Sequence, residues 1–311
     1  MNKDKGAEVK HYSQFYLAIT NRCNLSCIMC STTRHAHEVE RELDLREWLV
    51  ILEHITSLDV DVISFGGGEP FLRSGDLLEM IKFIGEKRIK INIVTNGTLI
   101  GKSFLEEIED LREYCVFVVS CDGLEPENDH IRGSGTFKKI FESVDLLRSK
   151  GFVLYLTSVL MPENFAHFID YLEFINAEYP DIGIDIQPVI PHNEIYYKRR
   201  SFNLTEEQLS RLERIIDFLR LKNMVMLCRP LKLIEQYLNY FSGTLESKNQ
   251  CKMGTASFNI NLRGNIWICG KELEYPLHKY KLGEVLNSKE YITEMQRVRS
   301  CKSPCLAGLV I

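Results

Sequence analysis

The sequence predicts an α/β fold: a partial (β/α)6 TIM-like barrel with a small C-terminal α+β segment. Three observations predict it. Apolar runs and amphipathic stretches alternate about six times over the first three quarters of the chain. The strand-like runs are continuously apolar, as strands are when both faces of a parallel sheet are covered. After about residue 243 the texture changes to a hairpin-like pattern framed by cysteines. Six units are too few for a closed eight-stranded barrel, so the expectation is an incomplete one.

Taken in order, FYLAIT (15–20) is strand-like. Asp44 then opens a helix. Glu47 lies three residues on, as in a capping box, and Leu45, Trp48, Leu49 and Leu52 share one face. DVISFG (61–66) is a strand followed by a helix over about 75–87, and KINIVT (90–95) leads to a helix over about 102–112. VFVVS (116–120) is the fourth strand. Thr136 caps the next helix, which buries Phe137, Ile140, Phe141, Val144 and Leu147 and stops at Gly151. FVLYLTSVL (152–160) precedes a helix near 163–177, and IGIDIQPV (182–189) is the sixth strand. Thr205 and Gln208 begin an amphipathic helix to about 222, and NMVMLC (223–228) is a candidate further strand. SFNINL (257–262), the Arg263-Gly264 turn and NIWIC (265–269) read as a β-hairpin, with a short helix near 288–299. The expected organisation is a tail over 1–14, the barrel over 15–243 and a second domain over 244–311. A domain that small holds little core and calls for a staple.

The chain has 311 residues, 45% hydrophobic and 26% charged, ordinary values for a globular protein. Its net charge of -5 argues against a nucleic-acid partner, and the one dense basic run, Lys198-Arg199-Arg200, reads as a solvated loop. No apolar run approaches the ~18 residues that span a membrane, and MNKDKGAEVKHY lacks the apolar segment of a signal peptide. Ten cysteines without an export signal point to a reducing, cytoplasmic setting and to metal or redox chemistry rather than a disulfide framework.

Those cysteines form three sets. Cys23, Cys27 and Cys30, spaced C-x3-C-x2-C, follow the first strand. A structural zinc wants four ligands. A cubane iron–sulfur cluster has four irons, usually one cysteine each. Three cysteines would leave one iron open to a small molecule; a zinc knuckle is the blander alternative.

This spacing after a first strand resembles the signature of the radical S-adenosylmethionine (SAM) enzymes. The resemblance implies a [4Fe-4S] cluster on Cys23, Cys27 and Cys30, with SAM's amino and carboxylate groups on the open iron. It implies reductive cleavage of SAM to a 5′-deoxyadenosyl radical that takes a hydrogen atom from the substrate. Further stretches at strand ends fit the same family. GGGEP (66–70) resembles its glycine-rich SAM motif, and TNG (95–97) and SCDG (120–123) end the third and fourth strands. HIRGSGTF (130–137) resembles the loop before the next helix. Gly67, Gly68, Glu69, Asn96, Ser120 and Asp122 would line the SAM site. Arg132 would meet the SAM carboxylate, meet a neighbouring acid, or structure its loop. The resemblance covers roughly residues 15–150. One departure is Met29, where the family often has an aromatic residue; a flexible apolar Met packs beside adenine as well.

The second set, Cys251, Cys269, Cys301 and Cys305, resembles the SPASM/twitch extension of this superfamily. Four cysteines fit the shorter twitch version with one auxiliary [4Fe-4S] cluster, making the last segment a cluster-binding domain. The final pair is spaced C-x3-C where C-x2-C is commoner, so one of Cys301 and Cys305 would be a non-ligand that leaves an open iron or donates a hydrogen atom. A zinc held by all four is the alternative, and would staple the segment equally well. Of the third set, Cys115 and Cys121 read as core residues, while Cys228 joins Cys301 and Cys305 as a candidate hydrogen donor. The loop holding His192, with Gln187, Asn193, Glu194, Tyr196 and Tyr197 nearby, is a candidate substrate contact.

The leading expectation is oxidation (dehydrogenation) or epimerisation of a small-molecule or carbohydrate-like substrate, with electrons from a flavodoxin- or ferredoxin-type reductant. A maturase of ribosomally made peptides, acting by crosslinking, oxidation or epimerisation, is the alternative. Peptide modifiers often carry a peptide-recognition domain, and only about fourteen residues precede the first strand here. A separate partner would then supply that domain. A non-catalytic zinc or iron–sulfur protein is the distant third reading. It leaves the polar and glycine motifs at successive strand ends unexplained.

Overall fold

The computed structural model describes residues 11–32, 41–189, 204–221, 226–246 and 253–301. Six strands pair in sequence order and in parallel: β1 (His11–Thr20), β2 (Asp59–Gly67), β3 (Lys90–Thr95), β4 (Cys115–Ser120), β5 (Val153–Leu160) and β6 (Gly183–Pro188). The connections carry α1 (Leu45–Thr56), α2 (Ser74–Gly85), α3 (Lys102–Glu107), α4 (Glu125–Arg132), α5 (Thr136–Ser149) and α6 (Phe168–Glu178). Then come α7 (Glu206–Leu221), α8 (Leu231–Ile234), α9 (Gln236–Phe241), the short strands β7 (Ser257–Ile260), β8 (Ile266–Ile268) and β9 (Lys271–Glu272), α10 (Leu282–Leu286) and α11 (Lys289–Arg299). The sheet runs β6-β5-β4-β3-β2-β1-β7-β8-β9, so β6 is an edge and the six-unit barrel is incomplete, as the alternation predicts.

The two faces of the sheet differ. Ile91, Ile93, Phe117, Val119, Leu156, Ile184 and Ile186 are fully buried in one apolar core with Leu77, Ile81, Ile140 and Val144 of the helices. The alternate row holds Tyr16, Asn92, Ser120, Tyr155, Asp185 and Gln187, all only partly buried. That inner row is more polar than the both-faces-covered expectation, because an open barrel leaves a trough rather than a packed interior.

Local chemistry sets most element ends. The Asp44 side chain accepts from Glu47 N at 3.0 Å and the Glu47 carboxylate accepts from Asp44 N at 3.0 Å, closing the expected capping box on α1. Thr205 and Gln208 make the same reciprocal pair at the start of α7. The start of α5 differs from expectation. Thr136 is its first helical residue and Gly135 stands at the cap with φ 75°. The capping oxygens come instead from Asp129, whose carboxylate accepts from the N–H groups of Gly135 and Phe137. His130–Arg132, expected in a loop, form the last turn of α4. Of the expected strand near 223–228, residues 223–225 lie outside the described residues, and Leu227 makes an isolated parallel bridge to Ile184.

The C-terminal hairpin continues the barrel sheet across the boundary expected at 243. β7 pairs in parallel with β1 from Gln14↔Ser257 to Leu17↔Ile260. Phe15 and Phe258 stack at 5.4 Å between centroids, with Tyr12 tilted against both.

Candidate active site

β1 ends at Thr20 and the chain leaves the sheet at the C-terminal ends of the parallel strands, where such folds place their chemistry. Cys23, Cys27 and Cys30 follow as half-buried free thiols. Cys30 N donates to Cys27 O at 3.0 Å, and Ile28 N donates to Ile131 O at 3.0 Å, tying the loop to the end of α4. Glu42 braces the root of the loop by accepting from Thr20 Oγ1 at 2.6 Å and Asn21 N at 3.0 Å.

The glycine turn is stitched to the same root. Gly68 N donates to Thr20 O at 2.7 Å and Glu69 N donates to Arg22 O at 2.8 Å. A Cβ at Gly68 would lie 2.1 Å from Arg22 O, so only glycine lets the two segments approach. Gly67 has φ +114° and donates to Tyr16 Oη at 2.9 Å. With these N–H groups committed, the turn has carbonyl oxygens left to offer, and those suit an ammonium donor. Glu69 faces elsewhere. Its carboxylate is fully buried and accepts from Thr95 Oγ1 and Asn96 N, both at 2.8 Å, and from Phe71 N at 3.1 Å, locking the end of β2 to the end of β3. Burial raises its pKa, and these donors oppose the rise.

Asn96 reaches the cysteine loop, donating from Nδ2 to Asn24 Oδ1 at 2.9 Å and towards Cys23 Sγ at 3.7 Å. Ser120 ends β4 in register with Thr157, which pairs with Asp185, so the three stand along the inner row. Asp122 is fully buried. It accepts from Val159 N at 2.7 Å and forms an ion pair with Arg132 Nε at 2.8 Å. Of the three readings of Arg132, the structure supplies the neighbouring acid. Burial opposes the guanidinium's charge, but Asp122 and the Cys27 sulfur outweigh it and hold the group protonated. Burial pushes the Cys27 thiol up to about 11, with Arg132 pulling the other way, and burial also raises Cys23. Met29 packs at the edge of the core.

The other cysteines disperse. Cys115 and Cys121 are fully buried core residues. Cys269 is exposed at the end of β8 with φ 46°, and Cys301 follows α11. Arg297 of α11 donates to Cys269 O at 3.0 Å, and Tyr291 Oη donates to Gly254 O at 2.7 Å. So α11, the end of β8 and the turn at 254 come together. Cys251, Cys305, His192, Asn193, Glu194, Tyr196, Tyr197 and Lys198-Arg199-Arg200 lie outside the described residues. Cys228 is exposed beside β6, its N–H donating to Ile184 O at 2.9 Å. A Cβ on Gly183 would lie 2.9 Å from its sulfur; Gly183 shares the inner face with Asp185 and Gln187, so the thiol borders the trough. Sequence reasoning missed the pair beside it. Arg229 binds both oxygens of Asp185, and Gln187 Nε2 donates to Asp185 Oδ2 at 2.7 Å. Asp and Gln two residues apart in the apolar run IGIDIQPV are the signal that marks this polar inner row.

A family model described as "Radical SAM superfamily" matches residues 17–175, just over half of the chain. The chain belongs to the radical SAM superfamily. Among relatives, the Fe-coproporphyrin III synthase of Methanosarcina barkeri is 32% identical over 147 residues, 47% of this chain and 36% of that protein. The PqqA peptide cyclase of Bradyrhizobium diazoefficiens is 23% identical over 303 residues, 93% of this chain and 76% of that one. The structure of Streptococcus suis SuiB bound to S-adenosylmethionine superposes with a TM-score of 0.72 at 16% identity, over 97% of this chain and 74% of that one, so the fold is shared. As a radical SAM enzyme the chain uses SAM and a [4Fe-4S] cluster. Its donor set fits that cluster: three soft thiols on one turn, amide donors towards Cys23 and a guanidinium beside Cys27. No helix among the described residues is long and apolar enough to cross a membrane.

Proposed function

We propose that Cys23, Cys27 and Cys30 hold the catalytic [4Fe-4S] cluster and that this radical SAM enzyme removes a hydrogen atom from a peptide substrate, giving oxidation or a crosslink. The observation that carries the cluster assignment is the cysteine loop itself. It presents three thiols and is laced on one side to Gly68 and Glu69, and on the other to Ile131. When bound and reduced, the cluster and SAM together supply the 5′-deoxyadenosyl radical that abstracts the hydrogen. The chain does the rest. The Gly67–Gly68 turn meets the SAM amino group through its carbonyls. Arg132, held by Asp122, keeps a positive charge beside Cys27. Ser120, Thr157, Asp185 and Gln187 line the trough and orient the substrate away from bulk water. Reducing equivalents come from a flavodoxin- or ferredoxin-type protein.

The peptide reading rests on the PqqA peptide cyclase, which aligns over 93% of the chain. It displaces the small-molecule or carbohydrate-like substrate as first choice. The polar inner row with its Asp185–Arg229 pair still favours that second reading, since hydroxyl-rich molecules need such partners. If the outcome is epimerisation, Cys228 at the trough rim is the hydrogen donor, and Cys228→Ala then accumulates an unquenched product. Cys269 and Cys301, with Cys251 and Cys305, are assigned to one auxiliary cluster, supported by the meeting of α11 with the end of β8.

The test is anaerobic reconstitution with iron and sulfide, addition of SAM and dithionite, and chromatography of 5′-deoxyadenosine. Wild type forms it and Cys27→Ala does not; formation in both would sink the cluster assignment. With synthetic peptides, aminocyclitols and sugars added in turn, the class that accelerates formation names the substrate. Iron content of about eight per chain, falling to about four in Cys269→Ala, is the expected sign of the second cluster.

A further inference from the structure

Asn96 does more than border the cofactor. Its side-chain amide has one orientation, fixed by neighbours. Thr98 N and Thr98 Oγ1 both donate to Asn96 Oδ1, at 2.9 and 2.7 Å. A backbone N–H has no acceptor capacity, so the carbonyl end must face Thr98 and the NH2 end must face the cysteine loop. There Nδ2 has two acceptors, Asn24 Oδ1 at 2.9 Å and Cys23 Sγ at 3.7 Å. Asn24 Nδ2 in turn donates to Thr98 Oγ1 at 2.9 Å, closing a ring of side chains. The Asn96 backbone is itself pinned by the buried Glu69 carboxylate. A second donor, Leu25 N at 3.4 Å, also meets the Cys23 sulfur. Cys23 is thus held by N–H groups, whereas Cys27 feels the charge of Arg132. The three sulfurs have unequal surroundings.

We infer that Asn96 is a positioning residue that sets the reduction potential of the catalytic cluster through its N–H···S bond to Cys23. The inference rests on the assignment of that cluster to Cys23, Cys27 and Cys30. An N–H donor withdraws electron density from a thiolate ligand and stabilises the cluster more after it gains an electron than before. Hydrogen bonds to the sulfurs are among the levers that set such potentials. The direction follows: removing the donor makes the cluster harder to reduce. The Thr98 lock matters because an amide free to rotate would place its oxygen against the sulfur for part of the time and cancel the effect.

The experiment is an EPR-monitored redox titration of the reconstituted full chain, following the signal that changes when SAM is added. Asn96→Ala should lower the reduced-to-oxidised ratio at fixed potential about tenfold, which is 59 mV for a one-electron couple. Asn96→Leu, which keeps about the same side-chain volume but has no N–H to give, should move it the same way by a similar factor. Far-UV circular dichroism and iron content separate this from a folding defect. Wild-type potentials in both variants, with iron content intact, overturn the inference. If Asn96→Ala fails to take up iron, Asn96→Leu decides alone, and an unshifted potential there overturns it as well. A wild-type chain with no SAM-responsive signal would instead overturn the cluster assignment.

Discussion

Arg132→Met isolates the buried ion pair beneath the cysteine loop. Asp122 is 0% exposed and Arg132 7%, and they meet at 2.8 Å as an ion pair rather than an aligned hydrogen bond. Methionine keeps much of the arginine stem's volume while removing the charge. Asp122 then retains the Val159 N–H on one oxygen and loses the Arg132 countercharge on the other. Removing one partner of a buried pair costs about 3–5 kcal/mol, chiefly from the stranded charge. Because Arg132 also borders Cys27, the measurement belongs on metal-free protein, where cluster loss does not add to the effect. Urea unfolding by circular dichroism reads it directly. With a slope near 3 kcal/mol/M for a chain this long, the midpoint should fall by about 1 M or more. Asp122→Asn combined with Arg132→Met should recover about half, since an amide strands no charge. A midpoint shift below about 0.3 M in the single variant, or no recovery in the double one, would refute the reasoning.

Three other outcomes follow from the geometry. Gly68→Ala forces a Cβ to 2.1 Å from Arg22 O, so the glycine turn must part from the cysteine loop, at a cost of about 3 kcal/mol and with loss of iron uptake; normal iron content in that variant would contradict the close approach. Phe258→Ala removes the ring stacked on Phe15 and should cost about 3–5 kcal/mol and expose 257–268 to limited proteolysis, whereas an unchanged cleavage pattern would mean that β7 is not held by β1. His11 bridges Asp59 and Asp61, hydrogen-bonding first to Asp59, and so titrates above 6.5. Its folded value being raised, the stability it lends is fully present below 6.5 and is lost as pH rises through the raised value. An NMR titration at or below 6.5, or one that Asp59→Asn leaves unmoved, would oppose this.

What the sequence made legible was local. Periodicity placed KINIVT at 90–95 with both ends correct, because its alternate residues are buried by helices next to it in the chain. Asp44 and Glu47 announced α1, because a capping box needs only four residues. The cysteine loop and glycine turn were legible as motifs, but their stitching through Thr20 and Arg22 was not, since it joins residues more than forty apart. Glu69 was read as facing a ligand. The carboxylate turns inward because two donors at the end of β3, Thr95 Oγ1 and Asn96 N, and Phe71 N just after β2 converge on it, which no spacing reveals. The Asp129 cap was hidden for the same reason, lying beyond the usual capping distance. Asp185 and Arg229 sit in separate segments and meet because the Leu227 bridge lays the segment before Arg229 along β6.

The pairing of β7 with β1 bears on distance. β1 runs directly into the loop of Cys23, while β8, hydrogen-bonded to β7, ends one residue before Cys269. In register, Cys269 falls level with Gln14, so Thr20 lies two strand spacings across and six residues along, roughly 10 and 20 Å. Backbone rungs, not a tether, hold that span. Electron tunnelling decays exponentially with separation. Across a tether its rate is an average over many lengths, dominated by rare close encounters. Across a shared sheet it samples nearly one length. Whatever those sulfurs carry, the fold makes the gap between the root of the Cys23 loop and Cys269 a molecular constant.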